Sequence, residues 1–170
     1  MKKSTIEEIR TRFDKDVERF SNLDSGQLST IDAKISLELI TESAKRIVPH
    51  AENLLDIGCG AGNYTLMMLT KIPNLHCTLV DLSKPMLDKA FERVVPQTDN
   101  SVEILQGDIR EVQLDQNHFD IILAGAVLHH LRDDLDWETT FDKLFRLLKP
   151  GGCFIISDLI TQDTVSINDY

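Results

Sequence analysis

Apolar positions recur at helical spacing over the first fifty residues and gather into short runs after that, so the change of period organises the chain. Ile6, Ile9, Phe13, Val17 and Phe20 fall three or four apart, one stripe on a helix. Ser4, with Glu7 three residues on, reads as a capping box at its start. The stretch SNLDSGQLST is rich in Ser, Asn, Asp and Gly and punctuates the pattern. A second helix is expected from Ile31 or Asp32 to Val48, with Ile35, Leu39 and Ile47 on its core face and Pro49 ending it.

From residue 53 strands and helices alternate. Strands are predicted at Asn53–Ile57, Cys77–Val80, Val102–Leu105, Phe119–Ala124 and, behind the Pro150-Gly151-Gly152 turn, Phe154–Ile156. Helices are predicted from Gly62 to Lys71, from Ser83 as cap to Val95, and from Trp137 to Leu148. Such alternation implies parallel pairing and an open, doubly wound α/β sheet. Residues 1–50 then form a helical lid and 51–170 the sheet domain. After the fifth strand only the polar tail ITQDTVSINDY remains, which leaves that strand's outer edge to the N-terminal helices, to another chain, or to missing strands of a C-terminally truncated domain; the last is the expectation.

Composition narrows the class. A chain of 170 residues, 42% hydrophobic and 27% charged, is one globular domain's worth and excludes wholesale disorder. No apolar run reaches a membrane span, and MKKSTIEEIR lacks the apolar stretch of a secretory signal, so a cytoplasmic protein is expected. Residues 1–50 carry nine basic and nine acidic side chains and residues 51–170 nine against nineteen, so the net charge of −10 falls entirely on the sheet domain. That surface repels phosphate backbones and anionic membranes. Cys59, Cys77 and Cys153 are odd in number and lack the close spacing of a zinc or dithiol site, so buried free thiols in a reducing compartment are expected.

The chemistry concentrates in LLDIGCGAGNYT, where Gly58, Gly60 and Gly62 stand between a strand and a helix. Glycine there lets backbone turn tightly and approach a ligand, and the helix aims unpaired N–H groups at the same place. The second strand ends at Asp81, 21 residues beyond Gly60, where a carboxylate accepts hydrogen bonds from two ribose hydroxyls. Together they read as a ribonucleoside pocket. Position 63 is Asn, so the dinucleotide pattern G-x-G-x-x-G is not met and the spacing is G-x-G-x-G.

That spacing, with Asp56 two residues ahead, resembles motif I of the class I S-adenosylmethionine-dependent methyltransferases. LVDLSKPML is similar to the family's second motif, LQGDIREV to its third, FDIILAGAVLHHL to its fourth, and LFRLLKPGG to the turn before its fifth strand, in order through residues 53–158. The resemblance implies a Rossmann-like fold and S-adenosyl-L-methionine as cofactor. It puts Asp56, Gly58, Cys59, Gly60 and Gly62 around the cofactor's amino-acid end, Asp81 and Leu82 at the ribose, Asp108 near the adenine amino group and Ile109 against the ring. Ala124, with Gly125 and Ala126, falls near the transferable methyl. Duller readings stand beside these: Asp56 holding main-chain amides, Asp108 in a Gly-Asp turn, Asp120 merely opening a strand.

Methyl transfer from a sulfonium needs alignment and exclusion of water, and a base only where the acceptor must lose a proton. His130, and with it His129, are the candidates for that base; packing or solvation is the alternative. Asp133, Asp134 and Asp136 read as a solvated helix start, and no metal site is expected. Arg10, Arg12 and Arg19 either meet a carboxylate or pair with Glu8, Asp14, Asp16 and Glu18 on neighbouring turns. RFDKDVERF and GDIREV are also similar to the enzymes that make and use carboxylated S-adenosylmethionine in tRNA wobble-uridine modification. The Asn/Asp-Pro-Pro-aromatic signature of nucleic-acid amino methyltransferases is missing after the fourth strand. The expected function is methyl transfer to a small-molecule acceptor, with no membrane partner, nucleic acid disfavoured but tRNA left open, and a homodimer left open. The alternatives are a carboxy-S-adenosylmethionine enzyme, an NAD-dependent oxidoreductase and a non-catalytic nucleoside-binding domain.

Overall fold

A computed structural model describes residues 4–21 and 33–158. All of the SNLDSGQLST linker after Ser21, the start of the second predicted helix and the polar tail therefore lie outside the described residues. Helices α1 (Ile6–Lys15), α2 (Val17–Ser21) and α3 (Ala33–Ile47) precede strand β1 (Asn53–Ile57). Then follow α4 (Asn63–Lys71), β2 (His76–Asp81), α5 (Lys84–Val94), β3 (Val102–Gln106), β4 (Phe119–Gly125), α6 (Asp134–Leu147) and β5 (Leu148–Ser157). The five strands form one parallel sheet in the order β3-β2-β1-β4-β5. This is the doubly wound arrangement that the alternation predicts. The order reverses between β1 and β4, whose carboxyl ends meet at Ile57 and Ala124, and a crevice opens outside such a reversal.

Side chains alternate across the sheet and both faces are covered, which is why the strands read as unbroken apolar runs. Leu54, Cys77, Leu79, Ile121 and Leu123 face α3, α4 and α5 through Ala44, Met68, Leu87 and Val94. Leu55, Ile57, Val80, Ile122 and Ala124 face the other way, towards Leu144 and Leu147 of α6. All three cysteines are buried and free, and burial pushes their thiols up, Cys77 to about 12 and Cys153 to about 11. Among the described residues no helix is long and apolar enough to cross a membrane. No group of three or more His, Cys, Asp or Glu gathers there as a metal site.

The helices depart from their predicted details in instructive ways. The cap of α1 is Thr5, not Ser4: its hydroxyl accepts from the Glu8 amide at 3.2 Å while Glu8 Oε2 takes the Thr5 amide at 2.7 Å, the same box one residue on. The single predicted stripe is broken at Asp16, and only Ile9 of it is buried. On α3 the predicted core face is the wrong one. Ile35, Leu39 and Ile47 are 57–62% exposed, while Leu37, Ile40, Thr41 and Ala44 are buried. The buried set contains a threonine, tolerated because its hydroxyl donates to the Leu37 carbonyl at 2.9 Å, and that polar residue hides the true stripe. Helix α6 begins three residues before Trp137, because Asp133 caps it by accepting from the Asp136 amide at 2.9 Å. The Pro150-Gly151-Gly152 turn lies inside β5 as an irregularity, with Gly151 at φ +85°.

Candidate functional site

The glycine turn hangs from β2: the Gly58 and Cys59 amides both donate to the Val80 carbonyl, at 2.8 and 3.1 Å. Its three glycines are all in the left-handed region, for different reasons. At Gly58, φ +62°, an added Cβ would lie 2.4 Å from a Val127 methyl. At Gly60, φ +51°, a Cβ would meet nothing within 4 Å, so main chain faces open space. Gly62, φ +80°, caps α4 and lies tight against Ala90 and Val94 of α5, away from that space. Arg93 of α5 steadies the turn by donating to the Ala61 carbonyl and, at 2.9 Å, to Asn63 Oδ1.

Asp81 ends β2 opposite this loop. Its Oδ2 accepts from the Gly60 amide at 2.9 Å and its Oδ1 from the Ser83 amide at 2.8 Å, so the carboxylate is locked in place with lone pairs to spare. Burial raises its pKa; amide donation from Ser83, Gly60 and Leu82 opposes the shift without cancelling it. A cleft opens beside it. Gly58, Asp81, Leu82, Asp108, Ile109 and His130 are among the residues that line it. Ile6 and Ile9 of α1 close one side. Helix α1 is tied down through Asp14, which accepts from Ser83 Oγ at 2.6 Å, and the Phe20 carbonyl beyond it accepts from Asn63 Nδ2 at 2.9 Å.

Several predicted site residues lie elsewhere. Cys59, Gly60, Gly62, Ala124 and His129 do not line the cleft; Ala124 is buried in β4 between Ile57 and Ile156. Asp56 sits behind the loop, fully buried, and takes the Thr65 hydroxyl at 2.7 Å and the Thr65 amide in the first turn of α4. It thereby serves the helix N-terminus that Gly62 has no side chain to cap. Arg10 pairs with Glu7 and Arg19 with Asp16, while Arg12 lies over the Phe13 ring, and none of the three lines the cleft. Glu8 is spent on the cap of α1 and Asp14 on Ser83. Asp136 is more than a solvated helix start, since its Oδ2 accepts from Arg110 Nη1 at 2.5 Å. Asp120 ties the far end of β1 to β5 through the Glu52 and Asn53 amides and Lys149.

Burial pushes the Asp56 pKa up to about 7 against the Thr65 hydrogen bonds. A carboxyl raised in the folded state binds its proton more tightly there than when unfolded. Its contribution to stability is therefore present at low pH and lost as pH rises through about 7. Between pH 5 and 8 the wild type should lose about 3 kcal/mol that Asp56→Asn does not. Urea unfolding of both proteins at the two pH values tests this, and parallel pH dependences would refute it.

Sequence reading missed Arg110, Val127 and Asp158. Arg110 clamps Asp108: its amide and Nε donate to Oδ1 at 2.9 Å each and Nη2 to Oδ2 at 2.6 Å. Burial works to raise the Asp108 pKa, but the Arg110 bonds and charge win and hold it low. After β4 the chain turns through Ala126 at φ +52°, a left-handed conformation costly for a residue with a Cβ. A single 3₁₀ turn, Leu128–His130, follows. His130 meets the Phe13 ring edge at 6.2 Å and His129 at 4.0 Å. His129 in turn bonds Asp158 just past β5. No spacing rule links positions 129 and 158; only the pairing of Gly125 with Ser157 brings them together.

Comparison with known proteins gives this geometry a context. Residues 54–152 match a family described as "Methyltransferase domain". The chain is 30% identical over 127 residues to malonyl-[acyl-carrier protein] O-methyltransferase of Priestia megaterium, covering 75% of this chain and 44% of that protein. It is 32% identical over 126 residues to demethylmenaquinone methyltransferase of Listeria monocytogenes, covering 73% and 52%. The chain thus spans about half the length of these relatives. Among solved structures, N-methyltransferase NodS of Bradyrhizobium japonicum, in complex with S-adenosyl-L-homocysteine, shares the fold at a TM-score of 0.64 and 23% identity, over 85% of this chain and 71% of that one.

Proposed function

We infer that this chain, which belongs to the class I S-adenosylmethionine-dependent methyltransferase family, binds S-adenosyl-L-methionine in the cleft beside Asp81 and transfers its methyl group to a small molecule. The observation that carries the reading is the locked Asp81 carboxylate, which lines the cleft with Gly58, Asp108 and Ile109 while holding the Gly60 amide. The residues fit the cofactor. The spare lone pairs of Asp81 suit two ribose hydroxyls, and the space over Gly60 is what a methionine tail lying on main chain needs. Leu82 and Ile109 offer apolar flanks for a flat base. The bound cofactor supplies an electrophilic methyl on a sulfonium that is already a leaving group.

What this chain adds is placement. The Gly58 amide is held by Val80, the Asp81 carboxylate by two amides, and α1 lies across the cleft as a lid that keeps water from the reacting atoms. An acceptor that is small, and not a nucleic acid, accords with the net charge of −10 carried by residues 51–170 and with the small-molecule and carrier-bound acceptors named for the two relatives. Titration calorimetry with S-adenosyl-L-homocysteine and with NAD tests the reading. Saturable binding of the former and none of the latter is expected; the reverse would make the site a dinucleotide site.

A further inference from the structure

We propose that His129, oriented by Asp158, is the base of the reaction, and that the acceptor is therefore a neutral amine, hydroxyl or enol that gives up a proton, not a carboxylate. The proposal rests on the methyltransferase reading and narrows its substrate class. Both Asp158 oxygens reach His129: Oδ2 accepts from the His129 amide at 3.0 Å and Oδ1 meets His129 Nδ1 at 2.6 Å. A carboxylate only accepts, so Nδ1 carries the ring proton and Nε2 is left with the lone pair, the arrangement a general base requires. Asp158 is 7% exposed and the His129 side chain 33%, so the anchor is buried while the ring remains open to an incoming molecule.

The place is right as well as the chemistry. Ala126, at the bend after β4, donates its amide to the Ser157 carbonyl at 2.6 Å, which joins the carboxyl ends of β4 and β5. Between Ala126 and His129, Val127 lies over Gly58, and the His130 ring that lines the cleft is 4.0 Å from the His129 ring. His130 thus lines the cleft and His129 stands one ring behind it. On the other side of β4 the Tyr64 ring lies on Gly125, and the Ser36 and Ser157 hydroxyls are 2.7 Å apart. In the reaction the acceptor atom's electron pair forms its bond to the methyl carbon, the carbon–sulfur pair returns to sulfur, and the acceptor's proton passes to His129 Nε2. Asp158 acts through His129 and is a positioning residue.

Three readouts decide it. In ¹⁵N-histidine-labelled wild type at pH 8, His129 should show the Nδ1–H tautomer, and Asp158→Asn should shift it towards Nε2–H; an Nε2–H ring in the wild type overturns the proposal. The full-length protein, given S-adenosylmethionine with a deuterated methyl and a small-molecule extract, should place label on nitrogen, oxygen or carbon that has lost a proton. A labelled methyl ester, or no labelled product from protein that binds S-adenosylhomocysteine, overturns it too. Asp158→Asn should lower turnover at least 100-fold and change the pH–rate profile, with S-adenosylhomocysteine affinity kept within twofold. Turnover within threefold on an unchanged profile would leave Asp158 a structural residue and refute the assignment. Wild type that binds no S-adenosylhomocysteine sinks the methyltransferase reading instead, and the tautomer measurement tells the two failures apart.

Discussion

Asp81→Ala is expected to weaken S-adenosyl-L-homocysteine binding by about 1.5–3 kcal/mol, which is roughly ten- to 150-fold in Kd, the loss typical of hydrogen bonds to a charged group. The structure adds a reason for the upper part of that range. The carboxylate also receives the Gly60 and Ser83 amides, so its removal frees the loop that is meant to underlie the cofactor. Asparagine is no gentler. Whichever way its amide turns, an NH₂ group faces one of two N–H donors, so Asp81→Asn should bind no better than the alanine variant. Calorimetric titration of all three proteins tests this, and an alanine variant with wild-type affinity would remove Asp81 from the site.

Gly58→Ala should destabilise the fold by about 2–4 kcal/mol. About 1–2 kcal/mol of that is the penalty for a Cβ at φ +62°, and the remainder comes from forcing it against Val127 at 2.4 Å. Gly60→Ala pays the first cost without the second, since nothing lies within 4 Å of its Cβ. It should cost less than the Gly58 variant by the steric part alone. Val127→Ala added to Gly58→Ala should restore some of that part, since it removes the methyl at 2.4 Å but leaves the Val127 Cβ at 2.8 Å, a coupling of about 0.5–3 kcal/mol between touching residues. Urea unfolding gives all four values. Equal costs at Gly58 and Gly60, or no rescue by Val127→Ala, would show that the close approach of β1 and the loop after β4 does not govern the turn.

The fold was legible because strands buried on both faces announce themselves as apolar runs, and because Ser83 and the glycines mark where helices begin. The α3 face was not legible. Two apolar sets compete on that helix, and the chosen one includes Thr41, whose hydroxyl is satisfied only once the helix exists. At the site, Gly58 and Asp81 could be named because they stand at the ends of the first two strands, and Asp108 and Ile109 from the resemblance to the family's third motif; the folded chain does bring them to one cleft. Asp56 could be named but not placed; its partner, Thr65, is 2.7 Å away in space but nine residues away in sequence.

Local chemistry written along the chain determined the order of elements, the glycine turn and the acid after β2, since propensity, periodicity and backbone freedom act between near neighbours. Tertiary structure alone decided which side chains share a face, that Arg110 holds Asp108, and that Asp158 reaches His129. Those contacts depend on strand pairing and helix packing between distant segments. No local pattern encodes the distance between two residues that only a neighbouring strand brings together.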